Sequence, residues 1–540
     1  MLEQHPRQDD QIEAQGNREN ASEQLPTLAS TISIPIASRG AASAPLSIKA
    51  VVCDVLSLGT IMTLSRLVKE GEVLIQAGIV SHLGFPAVAT LISSYQSTVW
   101  YVMLSPTFYI FTAINEANVP ATRQKVGSVI QGEWLIGVGS AVAQFVCLSF
   151  AGPALIKLGQ SPGAAGAAQE YFNVYRWALP ALCIQTISDA SSQVLRQVRQ
   201  PILTSFSCLA VSSFLAYGLA GGVWFLPNLG IQGAAWGVVT RAYLNLLVYH
   251  TYMLISDKRG SVFSGFGIFN RPENIFACYW TLLKKGFPIA INVASEIIAL
   301  FTLTLLVGVL GKEELTAQLV VTQWRSFLLM PTMGLTITAN ILIPRLPQEK
   351  RHLYARTIRN IGWVLPTLYI IGSVAIPRQM SKPFLNIHDH PKAEQDLAKG
   401  HLMGIGAVTS FFEASKNIYS GCSLALGEIF RAALMSIIGV WSGVLIGRLL
   451  EKEMDPKNNA LNIGIMIGFI IATGLQYNLW RIKSRLPLAP VVPPAGVTLP
   501  ARPGASPRLM ARRESRPIQA ADDPTTPLME EQGGWRPLQV

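Results

Sequence analysis

"GFPIAINVASEIIALFTLTLLVGVLG", residues 286–311, is apolar almost throughout and carries a single acid, Glu296, near its middle. At 26 residues it exceeds the roughly 20 needed to cross a hydrocarbon core of about 30 Å as a helix. Runs of the same kind recur on both sides, among them "WLIGVGSAVAQFVCLSFAGPALI" and "GIMIGFIIATGLQYNLW". None shows the wide polar stripe of an amphipathic helix in a soluble protein. The chain of 540 residues is 50% hydrophobic and 14% charged. Its mean hydropathy is +0.35. Soluble domains sit near 25% charged, so the expected class is an all-α polytopic membrane protein.

Twelve spans are expected, near 50–80, 87–114, 127–151, 168–192, 202–225, 231–255, 286–310, 314–343, 354–377, 399–422, 430–450 and 459–481. The flanking segments differ in composition. Residues 1–45 are polar, and 486–540 are rich in Pro and Arg. Neither can bury a core, and both are expected to be disordered tails. No short apolar signal segment stands near the start. The net charge of +11 comes largely from loops and tails, where basic residues orient the chain. In the first half Arg123, Lys125, Arg196, Arg199, Lys258, Arg259, Arg271, Lys284 and Lys285 share one side and only Lys157 the other, which places both termini in the cytoplasm. No stacking platform or groove-reading helix suggests nucleic acid. The six cysteines lie in or beside apolar runs without metal-ligand spacing and read as small apolar fillers.

The chain repeats itself. "LSPTFYI" matches "LMPTMGL", "GQSPGAAGAAQEY" matches "HDHPKAEQDLAKG" with Pro162 over Pro391, and Gly233 and Gly237 fall over Gly464 and Gly468. All these matches share an offset of about 230 residues. That offset covers six spans, an even number, so the halves enter the membrane in the same direction and form a parallel repeat. The expected organisation is a tail (1–45), a six-helix lobe (46–255), a cytoplasmic linker (256–285), a second six-helix lobe (286–485) and a tail (486–540). Two such lobes around a cleft are a transporter architecture. No nucleophile or metal motif points to an enzyme, and "HDHPKAEQD" reads as a solvated loop.

These stretches resemble the multidrug and toxic compound extrusion (MATE) family, within the wider group of multidrug, oligosaccharidyl-lipid and polysaccharide exporters. "LIKLGQSPGAAGAAQEYFNVYRWALPAL" is similar to the family's connection between its third and fourth helices. "NLGIQGAAWGVVTRA" is similar to its sixth-helix entry, and "KKGFPIAINVASEIIALFTLTLLVGVLGKEELTAQLVV" to its seventh and eighth helices. The resemblance covers roughly residues 50–480. It implies alternating access between two V-shaped lobes and export driven by Na⁺ or H⁺, with no other cofactor. Glu296 falls on the family's seventh-helix acid and Glu413 near its tenth-helix acid, so the resemblance makes them the cation-coupling pair, with Na⁺ as the one candidate metal.

The first lobe departs from this pattern. Gln76 stands where the family carries an Asp, and Arg66, Lys69, Glu70 and Glu72 stand where it is mostly apolar. Under the repeat offset, Lys69 lies opposite Glu296. Charge at mid-membrane costs about 2.5–3.5 kcal/mol, so these residues need a wet cavity or a partner. Arg66 and Glu70 are spaced i,i+4 and could pair within the helix. Lys416, three residues beyond Glu413, could neutralise it, and Glu296 could equally be a structural ion-pair member. Trp100, Tyr101, Asp189, Trp324 and Arg325 are further cleft candidates, the aromatics as cation–π walls or as plain packing. Arg241 reads as snorkelling to a membrane surface. Pro106 and Pro331 occupy matching places and read as bending points.

The expected activity is export of organic compounds, cationic or amphipathic, from a bacterial inner membrane by a monomer. The alternative within the same group is a flippase for a lipid-linked sugar precursor, suited by basic residues that grip phosphate. The change Glu296→Gln is expected to abolish gradient-driven export while leaving the protein folded, with stability unchanged or raised.

Overall fold

The computed structural model describes residues 48–117, 125–223, 226–258, 263, 266–270, 275–346, 348–375, 403–426, 428–455 and 457–483. The two tails, Arg123 and the repeat match at Pro391 lie outside the described residues. The first half comprises α1 (Ile48–His82), α2 (Pro86–Leu104), α3 (Ile110–Ala117), α4 (Lys125–Ser149), the short α5 (Ala151–Lys157), α6 (Pro162–Tyr175), α7 (Leu179–Val194), α8 (Arg199–Gly221) and α9 (Ile231–Lys258). The second half comprises α10 (Ile275–Leu310), α11 (Lys312–Leu342), α12 (Gln348–Ala375), α13 (Met403–Ala425), α14 (Ile429–Leu450) and α15 (Lys457–Lys483). With α2–α3 and α6–α7 each counted as one broken span and the seven-residue α5 left out, this is the expected all-α fold of twelve membrane helices. Among the described residues, seven helices or helix runs are long and apolar enough to cross a membrane by composition alone.

Prolines account for the breaks. Pro106 has no N–H to donate, and the helix tightens there into a 3-10 turn over Ser105–Tyr109. A second 3-10 turn, Arg176–Ala178, precedes Pro180 at the start of α7. Pro331, the repeat partner of Pro106, instead lies inside a continuous α11, so matching prolines have unequal outcomes. The expected linker is also shorter than 256–285. The helix begins at Ile275, not at 286, and carries Gly286 and Pro288 in its interior. Its 36 residues span about 54 Å at 1.5 Å each, well beyond the hydrocarbon core, so its first turns with Lys284 and Lys285 extend past it.

The repeat glycines do the same work twice. A Cβ on Gly233 would lie 2.4 Å from the Leu219 backbone, and one on Gly237 2.3 Å from Ala216 Cβ, where α9 meets α8. A Cβ on Gly464 would lie 2.2 Å from Gly447 Cα, and one on Gly468 2.7 Å from Gly443 Cα, where α15 meets α14. Small residues let membrane helices approach backbone to backbone, where lipid supplies no hydrophobic drive. The halves join through equivalent contacts as well: α1 packs on α11, and α2 with its 3-10 turn packs on α10.

That second seam is tight. A Cβ on Gly286 would stand 2.3 Å from the Pro106 carbonyl oxygen, a backbone atom that cannot rotate away. Gly286→Ala is therefore expected to cost about 1–3 kcal/mol through overpacking, read as a lowered melting temperature in detergent. An unchanged melting point would show that the seam yields.

Candidate functional site

A cavity of about 510 Å³ opens between the halves, lined by α1, α2 and α3 on one side, α10, α11 and α13 on the other, and by residues of α7 and α9. Pockets for small molecules run from about 300 to 1,000 Å³. Most of the charged residues singled out from the sequence meet here: Arg66, Lys69, Glu70 and Glu72 from α1, Glu296 from α10, Arg325 from α11, and Glu413 and Lys416 from α13. Gln76, Trp100 and Tyr101 also line it.

The charges are joined across helices. Lys69 Nζ stands 3.1 Å from Asp189 Oδ2 on α7, and Glu72 pairs with Arg241 on α9. The first-helix cluster is thus not closed on itself, although Glu70 does sit in the field of Arg66 and Lys69. Arg241 is 2% exposed and does not snorkel: a carboxylate reaches it inside the bundle. In the second half, Lys416 pairs with Glu296, and Arg325 Nε lies 3.3 Å from Glu413 Oε2. The intrahelical pair Glu413–Lys416 expected from i+3 spacing is absent because it would strand Glu296 and Arg325. Interhelical exchange leaves no member of the set alone, and a buried ion without a partner is the costliest arrangement.

Gln76 is held from two sides. Its Nε2 donates to Glu72 Oε1 at 3.2 Å, and Tyr171 OH donates to its Oε1 at 3.1 Å. It therefore orders the Glu72–Arg241 pair. Two candidates fall outside the cavity wall. Asp189 stands behind Lys69, and Trp324, 2% exposed, packs in a buried cluster with Val320, Val321 and Leu328. Trp324 sits between the cavity-lining Gln323 and Arg325, and the rotation of about 100° per residue along α11 turns its indole away from the cavity, a distinction that span-level placement does not make. Arg176, a basic residue at the turn between α6 and α7, stands away from the cavity, donating to Ser149 Oγ at 2.8 Å and capping the Phe145 ring at 5.0 Å.

Several buried side-chain atoms on the cavity wall lack a hydrogen-bond partner among the described residues: Gln185 Oε1, Asn292 Oδ1, Asn340 Oδ1, Asn417 Nδ2 and Arg66 Nε. These amides leave no charge signal in the sequence, since Asn and Gln inside a span are neutral.

Glu133 was also missed. It is fully buried on α4, and neither carboxyl oxygen has a hydrogen-bond partner among the described residues. It sat unnoticed in "GEWLIG" because it opens an apolar run. An unsatisfied buried polar group costs about 1–3 kcal/mol, so Glu133→Leu is expected to raise the melting temperature and spare export. Lost export in a stable Glu133→Leu protein would instead give this acid a place in the transport cycle.

The MatE family model matches residues 288–449. A probable multidrug resistance protein NorM of Burkholderia pseudomallei is 26% identical over 307 residues, which cover 56% of this chain and 64% of that relative. The alignment thus spans less than two thirds of that relative's length. Its counterpart in Burkholderia mallei is 23% identical over 413 residues, covering 75% of this chain and 86% of the relative. Among solved structures, the eukaryotic MATE transporter AtDTX14 superposes with a TM-score of 0.70 at 16% identity, over 81% of this chain and 98% of that one. Twelve helices in two repeated halves, a charged cavity between them, a family model that matches within the second half and relatives reaching into the first make this chain similar to the MATE family of membrane transporters.

Proposed function

We propose that this protein is a secondary active exporter of small amphipathic organic compounds, working by alternating access between its two halves. The observation that carries the reading is the 510 Å³ cavity, sited where α1 and α2 of one half meet α10 and α11 of the other. A rocking motion of one half on the other would open such a cavity to either side in turn. The names of the Burkholderia relatives support the multidrug substrate range.

The coupling ion acts, in this reading, through Glu296 and Glu413. Their pairing favours the proton over Na⁺. A proton neutralises Glu296 directly and releases Lys416, whereas Na⁺ needs several oxygen ligands around a carboxylate that already holds an ammonium. The two states then differ in the affinity each shows for ion and substrate, as any coupled transporter requires. The flippase alternative loses ground, because a phosphate headgroup calls for excess cations. Here Arg66, Lys69, Arg241, Arg325 and Lys416 are matched by Glu70, Glu72, Asp189, Glu296 and Glu413. A bacterial inner membrane, both termini in the cytoplasm and a monomeric state complete the proposal.

The test is dye transport by purified protein in sealed vesicles with Na⁺ and H⁺ gradients set independently. Uphill movement with a proton gradient alone is the expected result. Movement only with Na⁺ would overturn the ion assignment, and none with either gradient would overturn export.

A further inference from the structure

In the second half, α13 packs against both α12 and α15. An aromatic cluster joins the three helices at the end where α12 begins and α15 stops. Tyr419 of α13 lies edge-on to Trp363 of α12, with ring centroids 6.3 Å apart, and to Tyr477 of α15 at 5.8 Å. Its hydroxyl accepts the Trp363 indole N–H at 2.7 Å. Beside this cluster Arg359 of α12 reaches across to α15, its guanidinium carbon 4.3 Å from the centre of the Trp480 ring. None of these residues lines the central cavity.

Arg359 differs from the arginines of the cavity. Arg241 and Arg325 each meet a carboxylate, whereas Arg359 meets none among the described residues. Its Nε and Nη2 donate instead to one neutral acceptor, Asn360 Oδ1, at 3.0 and 2.6 Å. The guanidinium is thus held against an indole, with N–H groups to spare for a further acceptor. Arg356 is exposed three residues earlier, on the same helix face, where like charges repel. It too lacks a carboxylate among the described residues. An anion seated on both cations turns that repulsion into attraction. Deeper along α15 the surface is apolar. Tyr477 is 42% and Ile470 38% exposed, and between them Gly474 has open space where a Cβ would stand.

We propose that this end of the α12–α15 seam binds one anionic phospholipid, its phosphate on Arg356 and Arg359 and an acyl chain along Tyr477, Gly474 and Ile470. Cations at the helix ends and apolar surface further in follow the order of head and tail in a lipid. Arginine takes phosphate through two parallel N–H bonds, and its neighbour's charge selects among headgroups. Phosphatidylglycerol presents its negative charge unopposed. Phosphatidylcholine brings a quaternary ammonium that the second arginine repels. Basic residues at a membrane surface ordinarily serve to orient a chain. A guanidinium fixed on an indole, without a carboxylate and above an apolar notch, adds a place for one lipid.

Native mass spectrometry of the full-length protein in detergent tests this, with phosphatidylglycerol or phosphatidylcholine of the same acyl chains titrated in. One phosphatidylglycerol is expected to bind at least about tenfold tighter than phosphatidylcholine. Arg356→Gln with Arg359→Gln should erase that preference. Lys125→Gln with Arg199→Gln should keep it. That pair removes the same charge from exposed positions of the first half, which an even number of intervening spans puts at the same membrane surface. Equal binding of the two lipids by the wild-type protein would overturn the proposal, whatever the variants do. So would a preference that survives in the Arg356 and Arg359 double variant, or one that both double variants lose alike. Millimolar inorganic phosphate should leave the lipid bound, and its displacement by phosphate alone would sink the lipid assignment in favour of a free-anion site.

Discussion

Glu296→Gln is expected to lower stability by about 3–5 kcal/mol, because it strands Lys416, a cation 1% exposed, without its carboxylate. This reverses the expectation from sequence, which took the acid as isolated and its neutralisation as harmless. Lys416→Met should be destabilising for the same reason, now with Glu296 unpaired. The double variant Glu296→Gln with Lys416→Met should recover most of the loss, since replacing both members of a buried pair is often neutral or better. Export is the second readout. If Glu296 carries the coupling proton, the double variant will be stable, will bind dye and will not move it uphill. Thermal melts in detergent and gradient-driven export, measured on all four proteins, separate the two roles. Proton-driven export by the stable double variant would reduce the pair to a structural tie between α10 and α13.

Asp189→Lys is expected to abolish accumulation of folded protein, because it sets two ammonium groups face to face, 3.1 Å from the present carboxylate oxygen to Lys69 Nζ. Two like charges at about 4 Å repel by about 4 kcal/mol even at an effective dielectric of 20. Exchanging the pair, Lys69→Asp with Asp189→Lys, restores attraction and should restore expression. The exchanged protein then lines the cavity with an acid at position 69 of α1 as well as with Glu296 of α10. Its dye preference should move towards cations, although its net charge is unaltered. Poor expression of the exchanged pair beside good expression of Asp189→Lys alone would contradict the ion-pair account. The fold-level counterpart of this test is Gly286, whose hydrogen faces a backbone carbonyl and not another side chain.

The membrane class, the twelve spans and the parallel repeat were legible in the chain itself. Hydrocarbon admits only backbones that satisfy their own hydrogen bonds, so a long apolar run has one outcome, and a run of six spans repeated at a constant offset has one sense of insertion. The close-packing glycines were legible for the same reason: Gly233 and Gly237 recur as Gly464 and Gly468, and both sets seat a helix against its predecessor. The cavity's charges could be listed but not joined. Spacing along one helix offered Arg66–Glu70 and Glu413–Lys416, yet the structure joins Lys69 to Asp189, Glu72 to Arg241, Glu296 to Lys416 and Glu413 to Arg325. An exposed helix pairs its charges locally, because water stabilises whatever is left over. Inside the bundle a buried ion left unpaired is costly, and for these four pairs the answer stands on a neighbouring helix. Helical rotation, which turned Trp324 into the core and Arg325 to the cavity, likewise depends on what packs alongside. Sequence therefore determined which residues would face the cost of burial, and tertiary structure alone decided which partner relieves each of them.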